Sequence, residues 1–349
     1  MADPIPDQVH LVGSIGLDTV EQVFRTVGAK LGRRLRRVPD GEPGGRRLWI
    51  TWQYPLLRAS PFLRPDPSLA KRTTTGVPLL SFAEGVGPAD LHFGELGYAR
   101  EARASYLDFL SARERGELPK DIKFQVCLPT PMAVIYAFAT LETQRVIEGA
   151  YEKAMLAEVA ALCRAIPHRD LCLQWDVCVE MIIWDGQIPE RYPGEGTSKH
   201  DILARLTRLF SAVPATVELG IHLCYGDFDG KHFVDPKDAG KMVELANACA
   251  QIEAHALAYI HLPVPVARSD DAFFRPFRDL MLPPGTALYL GLVHPDGVTG
   301  TRARIAAASR ALAGFGIATE CGMARARTPA LVRRLIDIHA AATQEPKAL

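Results

Sequence analysis

The run ALYLGLV, Ala287–Val293, is seven uncharged residues long and ends at His294-Pro295. It is apolar at odd and even positions alike and too short for a buried helix. It therefore reads as a strand covered on both faces, the habit of a parallel sheet. The stretch TRARIAAASRALAGF that follows switches to helical spacing. The same alternation recurs outward in both directions. Strands are expected at Val9–Ser14, in RLRRVPDGE ending near Asp40, and at Ile122–Pro129, Leu171–Val177, Thr216–Cys224, Leu257–Pro263 and Gly316–Cys321. Helices are expected over Leu17–Gly32 and Thr143–Ile166, from Ser198 or His200 to Phe210, in PKDAGKMVELANACAQI, near Asp270–Leu280 and in TPALVRRLIDIHAA capped by Thr328.

Eight strands, most followed by a helix, predict an α/β fold: one closed (β/α)8 TIM barrel over residues 1–349. A doubly wound open sheet would place G-x-G-x-x-G after the first strand, and GSIGLD there is not that motif. Between the second and third strands lies a long Pro-rich region, residues 43–119. It predicts an insertion or lid after strand 2, with a helix near Tyr98–Arg115.

The bulk numbers exclude several classes. Forty basic residues balance forty acidic ones in 349, so no nucleic-acid partner is expected. KLGRRLRR, Lys30–Arg37, reads as a solvated helix end. There is no run of about 18 apolar residues and no basic-then-apolar leader, so no membrane span and a cytoplasmic location are expected. Seven cysteines, an odd count, point to free thiols or thiolate ligands rather than disulfides. Cys127, Cys163, Cys172, Cys178 and Cys249 sit in apolar or helical surroundings and read as small buried hydrophobes.

Chemistry in such a barrel belongs at the C-terminal ends of the strands. Those ends offer Ser14, Asp40 with Glu42, Thr130, Asp176, His222 with Cys224, His261, His294 and Cys321. Residues i and i+2 of a strand share a face, so His222 and Cys224 can converge on one ion. Cys321, across the same barrel mouth, is a candidate third ligand. His261, on the neighbouring strand, is a candidate fourth ligand or a substrate-side group. Zinc takes imidazole nitrogen and thiolate sulfur in a tetrahedral shell. Two thiolates suit zinc to holding a third sulfur rather than to activating water. A thiol bound there is deprotonated, whereas a free one is mostly protonated near neutrality. The pattern points to alkyl transfer at sulfur.

These residues resemble the C-terminal catalytic barrel of cobalamin-independent methionine synthase, in the superfamily that includes uroporphyrinogen decarboxylase. IHLC matches the family's H-x-C zinc motif and TECGM its DCGL segment, which implies His222, Cys224 and Cys321 as zinc ligands. IHLP puts His261 where the family has its remaining ligand, a Glu. The resemblance further implies that Ser14, in VGSI, contacts a substrate carboxylate. It implies that Glu42, in DGE, and Asp176, in LQWDV, hold a substrate amine, and that Thr130, in CLPTPMAV, lies at the site rim. His294, in LVHPDG, falls near the family's transfer-assisting His and would donate a proton to the leaving group.

The expected activity is thus zinc-dependent methyl or alkyl transfer involving a small-molecule thiol, with the donor open among a folate, a corrinoid protein and other alkyl compounds. Two alternatives remain: a metal-free decarboxylase-like lyase using Arg46, Arg47 or Arg268, and a non-catalytic protein with structural zinc. Trp49, Trp52, Tyr54 and Phe62 either cap the barrel mouth over a flat donor or form a satellite cluster under the long loop. Trp184 is placed to line the entrance, and Trp175 to point away from it, into strand–helix packing.

Overall fold

A computed structural model describes residues 6–66, 76–187, 196–227 and 230–344. Most of the loop expected over Gly186–Lys199 lies outside them. Nine strands occur among the described residues: β1 Arg37–Pro39, β2 Leu63–Pro65, β3 Leu80–Phe82, β4 Lys123–Pro129, β5 Leu171–Val177, β6 Glu218–Leu223, β7 Leu257–Pro263, β8 Ala287–Val293 and β9 Phe315–Thr319. Seven form one parallel sheet in the order β1-β4-β5-β6-β7-β8-β9, and β2 and β3 make a separate antiparallel pair. Each parallel neighbour is reached by a crossover that carries helix, as parallel pairing requires.

The sheet is curled. Arg37 of β1 reaches Glu218 of β6 at 2.7 Å, and the Tyr259 hydroxyl of β7 donates to Gln174 of β5 at 2.8 Å. Neither pair is adjacent in the sheet. The expected first strand, Val9–Ser14, is present only as isolated parallel bridges, from Val9 to both Leu35 and Ile317 and from Ile15 to Met323. Val9 N–H donates to the Arg34 carbonyl, and Ile317 N–H to the Gln8 carbonyl. This segment thus bonds both edges of the sheet, as a TIM-like barrel requires, without being a regular eighth strand. The reason lies in its acceptors. The carbonyls of Leu11 and Val12 are taken by the side chains of Gln125 and Gln174 instead of a neighbouring backbone.

Helices cover the outside. Val20–Leu31 is capped by Thr19, Lys199–Ser211 by a Ser198–Asp201 capping box, and Pro329–Ala342 by Thr328. The residue 43–119 region is not all appended chain. Its helix Tyr98–Glu114 packs onto the barrel, with the Phe109 ring 6.0 Å from Phe24 and 5.4 Å from Phe124. A helix over Pro131–Phe138 was not expected. Its Thr130 cap and Pro131 at the first turn were the available signals.

Candidate metal centre

Register builds the site. In the parallel pairing Asp176 of β5 stands opposite His222 of β6, and His222 opposite His261 of β7. One row of polar side chains therefore crosses three adjacent strands. Cys224 lies two residues beyond His222, its N–H held by the Val177 carbonyl at 3.1 Å. Cys321 arrives from the turn after β9. One donor atom from each of His222, Cys224 and Cys321 lies within 4.8 Å of the others, and all three residues are buried. The two sulfurs are 3.8 Å apart. Two sulfurs each about 2.3 Å from one zinc at a tetrahedral angle sit about 3.8 Å apart. Nε2 of His222 is buried with no hydrogen-bond partner, and Gly226 N–H donates to the Cys224 sulfur at 3.2 Å. An orphaned nitrogen beside two converging sulfurs fits a soft divalent metal.

Without a cation the donors carry no charge. Burial pushes His222 well below the imidazole range. The Cys178 thiol alongside, then burial, raises Cys224, and Cys224 and burial raise Cys321. Two loops bring the sulfurs together, and a buried ion pair joins those loops: Asp227, three residues past Cys224, bonds Arg327, six past Cys321, at 2.8 Å. Gly322 lets the second loop lie against the N-terminal segment, because a Cβ there would sit 2.3 Å from Ser14 Oγ. Ser14 is thereby brought to the rim of the same pocket.

Two carboxylates, Asp176 and Glu42, line the same pocket as the two sulfurs. Asp176 accepts from Gln174 at 2.8 Å and from the Trp49 indole at 3.1 Å. Burial lifts it to about 7, and burial plus the charges of Asp176 and Asp40 lifts Glu42 to about 8. Backbone strain clusters here too. Among the described residues the non-glycine positions with positive φ are Glu42 (53°), Trp49 (55°) and Ala326 (51°). The first two line the pocket, and the third follows Arg325, which also does. Strain held at a site rather than scattered marks a constrained function.

Some expected residues are placed elsewhere. His261 does not join the three donors; its Nδ1 meets Nδ1 of His222 at 2.7 Å, so it stands behind His222 and orients that ring. His294 does not line the pocket. Its Nε2 is bonded to the Val264 carbonyl at 2.9 Å, and burial pulls it to about 4, so it is a neutral ring with a committed proton. Thr130 is buried as a helix cap, accepting from Ala133 N–H. Trp49 reaches the site, whereas Trp52 packs on Tyr98, Tyr54 bonds the Pro78 carbonyl and Phe62 packs on His92. Trp175 is fully buried on the opposite strand face, as its position predicted.

Sequence reasoning missed the polar floor beneath the site. His10 and Tyr259 bond the Gln174 amide oxygen, whose amide nitrogen holds Asp176 and the Val12 carbonyl. Period-two spacing of Gln174 and Asp176 was the signal.

No protein-family profile matches the sequence, and no curated protein sequence matches it. Solved structures do match its fold. A putative vitamin-B12-independent methionine synthase from Listeria monocytogenes aligns over 97% of both chains with a TM-score of 0.57 and 13% identity. A B12-independent methionine synthase from Shewanella sp. W3-18-1, solved with selenomethionine, aligns over 97% of both chains at 0.56 and 14%. The chain thus shares the architecture of cobalamin-independent methionine synthase-like proteins along its whole length, which agrees with the motif resemblance.

Proposed function

We propose that this chain is a zinc-dependent transferase that moves a methyl or other alkyl group to or from a small-molecule thiol. The observation that carries the reading is the convergence of His222, Cys224 and Cys321 at the mouth of the barrel, facing a pocket with two carboxylates. Support comes from the fold shared with proteins described as methionine synthases. Three protein donors leave a fourth position for the substrate, unlike a closed structural site. Zinc held there would bind the thiol and keep it as thiolate at neutral pH.

The chain's own residues supply the rest. His261 orients His222. Asp176 and Glu42 receive a polar, donor-bearing part of the substrate, and Ser14 offers a hydroxyl in the same pocket. Trp49 lines the pocket and holds Asp176 through its indole N–H. The donor is an alkyl compound of unassigned class. The lyase alternative loses its anchors: Arg46 is bonded to Asp40, Arg47 to the Leu17 carbonyl and Asp18, and Arg268 to Asp270.

The test is zinc content of the wild type, Cys224→Ser and Cys321→Ser, together with thiol-induced spectral changes of the cobalt-substituted protein. One zinc per wild-type chain, lost in both variants, is expected, with cobalt bands that shift on adding thiol. Full zinc in both variants would overturn the ligand assignment.

A further inference from the structure

Arg325 stands apart from the other sheltered arginines. Arg37, Arg46, Arg205, Arg304 and Arg327, with side chains between 3% and 16% exposed, each have a carboxylate within 2.8 Å. Arg325 is half-buried and lines the metal pocket, yet among the described residues no carboxylate lies within ion-pair distance of it. Its guanidinium lies over the Trp49 ring, 5.6 Å from the centroid, and one nitrogen is 3.9 Å from the Cys321 sulfur. A sheltered guanidinium whose fork is not filled by the protein is the arrangement that recognises an oxyanion on a ligand.

The loop is built to hold it there. Arg327, two residues on, is tied to Asp227, and Ala326 between the two arginines adopts the left-handed region. One arginine anchors the loop, and the strained residue turns the other toward the pocket. Ser14 stands on the same rim, and the carboxylates of Asp176 and Glu42 belong to the same pocket.

We infer that Arg325 is the specificity-determining residue for the acceptor or product thiol, selecting one that carries a carboxylate or sulfonate. This rests on the thiol-transfer reading of the site and adds to it the residue that reads the anion. The competing role is purely local: Arg325 offsets charge at Cys321 and contributes to metal retention only.

The experiment uses cobalt-substituted full-length protein, titrated with mercaptopropionate, mercaptoethanesulfonate and uncharged mercaptoethanol, in wild type, Arg325→Gln and Arg325→Lys. The readout is the thiol-induced change of the cobalt spectrum, with metal stoichiometry and far-UV circular dichroism measured on each variant. In wild type the two anionic thiols should bind about ten- to a hundredfold more tightly than mercaptoethanol, the range of a charge-assisted contact. Arg325→Gln should lose that preference while its mercaptoethanol affinity stays unchanged, and Arg325→Lys should retain part of it. Equal binding of all three thiols by wild type overturns the inference. So does an equal loss for all three in Arg325→Gln, or a loss of cobalt there, which is the local role. If no thiol perturbs the wild-type spectrum, the thiol reading itself falls and takes this inference with it.

Discussion

The two faces of β5 do opposite work with seven residues. Leu171, Leu173, Trp175 and Val177 point outward and are fully buried under helices. Cys172, Gln174 and Asp176 point inward, where Gln174 and Asp176 are tied into a hydrogen-bonded layer with His10, Gln125, Tyr259 and Trp49. Barrel interiors are usually filled by branched apolar side chains. Here the large apolar side chains of β5 lie on the outer face, and the inner face is polar and supports a site. Polar interiors cost stability unless every group is satisfied, and this one is held by side chains bonding to one another and to the backbone of the N-terminal segment.

That contrast can be broken from either side. Trp175→Ala should have the largest effect, destabilising the protein by about 3–5 kcal/mol in denaturant unfolding through the cavity it leaves. Zinc stoichiometry of the folded fraction should stay intact. Loss of zinc at unchanged stability would place Trp175 in the site and abolish the division. Gln174→Met preserves volume but strands Asp176, Tyr259, His10 and the Val12 carbonyl, for about 2–3 kcal/mol. An unchanged unfolding midpoint would show that the inner layer contributes nothing to the fold.

His261→Phe should leave the chain folded yet weaken zinc about ten- to a hundredfold in a chelator competition, because the ring behind His222 no longer fixes its orientation. Complete loss of zinc would instead make His261 a ligand.

The smallest effect should be a gain. Glu42 titrates near 8 in the fold, raised by burial and its acidic neighbours, whereas an unfolded glutamate titrates near about 4.3. The folded state therefore holds a proton that the unfolded state has released across that window. Its contribution is full below about 4 and is lost as pH rises toward 8, so metal-free wild type should weaken over that range. Glu42→Gln should flatten the slope and raise the melting temperature at pH 8 by a few degrees. A steeper slope in the variant would show that Glu42 is ionised and stabilising.

Legibility in the sequence followed the same division. The bounds expected for β5, β7 and β8 match the structure, since an unbroken apolar run flanked by turn residues has one reading. The helix Pro131–Phe138 escaped notice because it is apolar all round and shows no periodicity. Of the site, the strand-end residues could be named, but their partners could not. His261 and His294 looked equivalent to the ligands in type and position. One turned out to face the far nitrogen of His222, and the other a backbone carbonyl. Arg325 carried no signal at all, because a guanidinium with no carboxylate in ion-pair range among the described residues is defined by what does not surround it.

Composition and periodicity by themselves determined a parallel α/β barrel and placed the histidine and cysteine pairs at strand ends, because side-chain alternation and burial are written residue by residue. Only the tertiary structure decided which donors converge, that an ion pair joins the two cysteine loops, and that one arginine is left to the pocket. Those depend on distances between segments about a hundred residues apart, Cys224 to Cys321 and Asp227 to Arg327, and such distances are set by how the curled sheet brings its strands face to face.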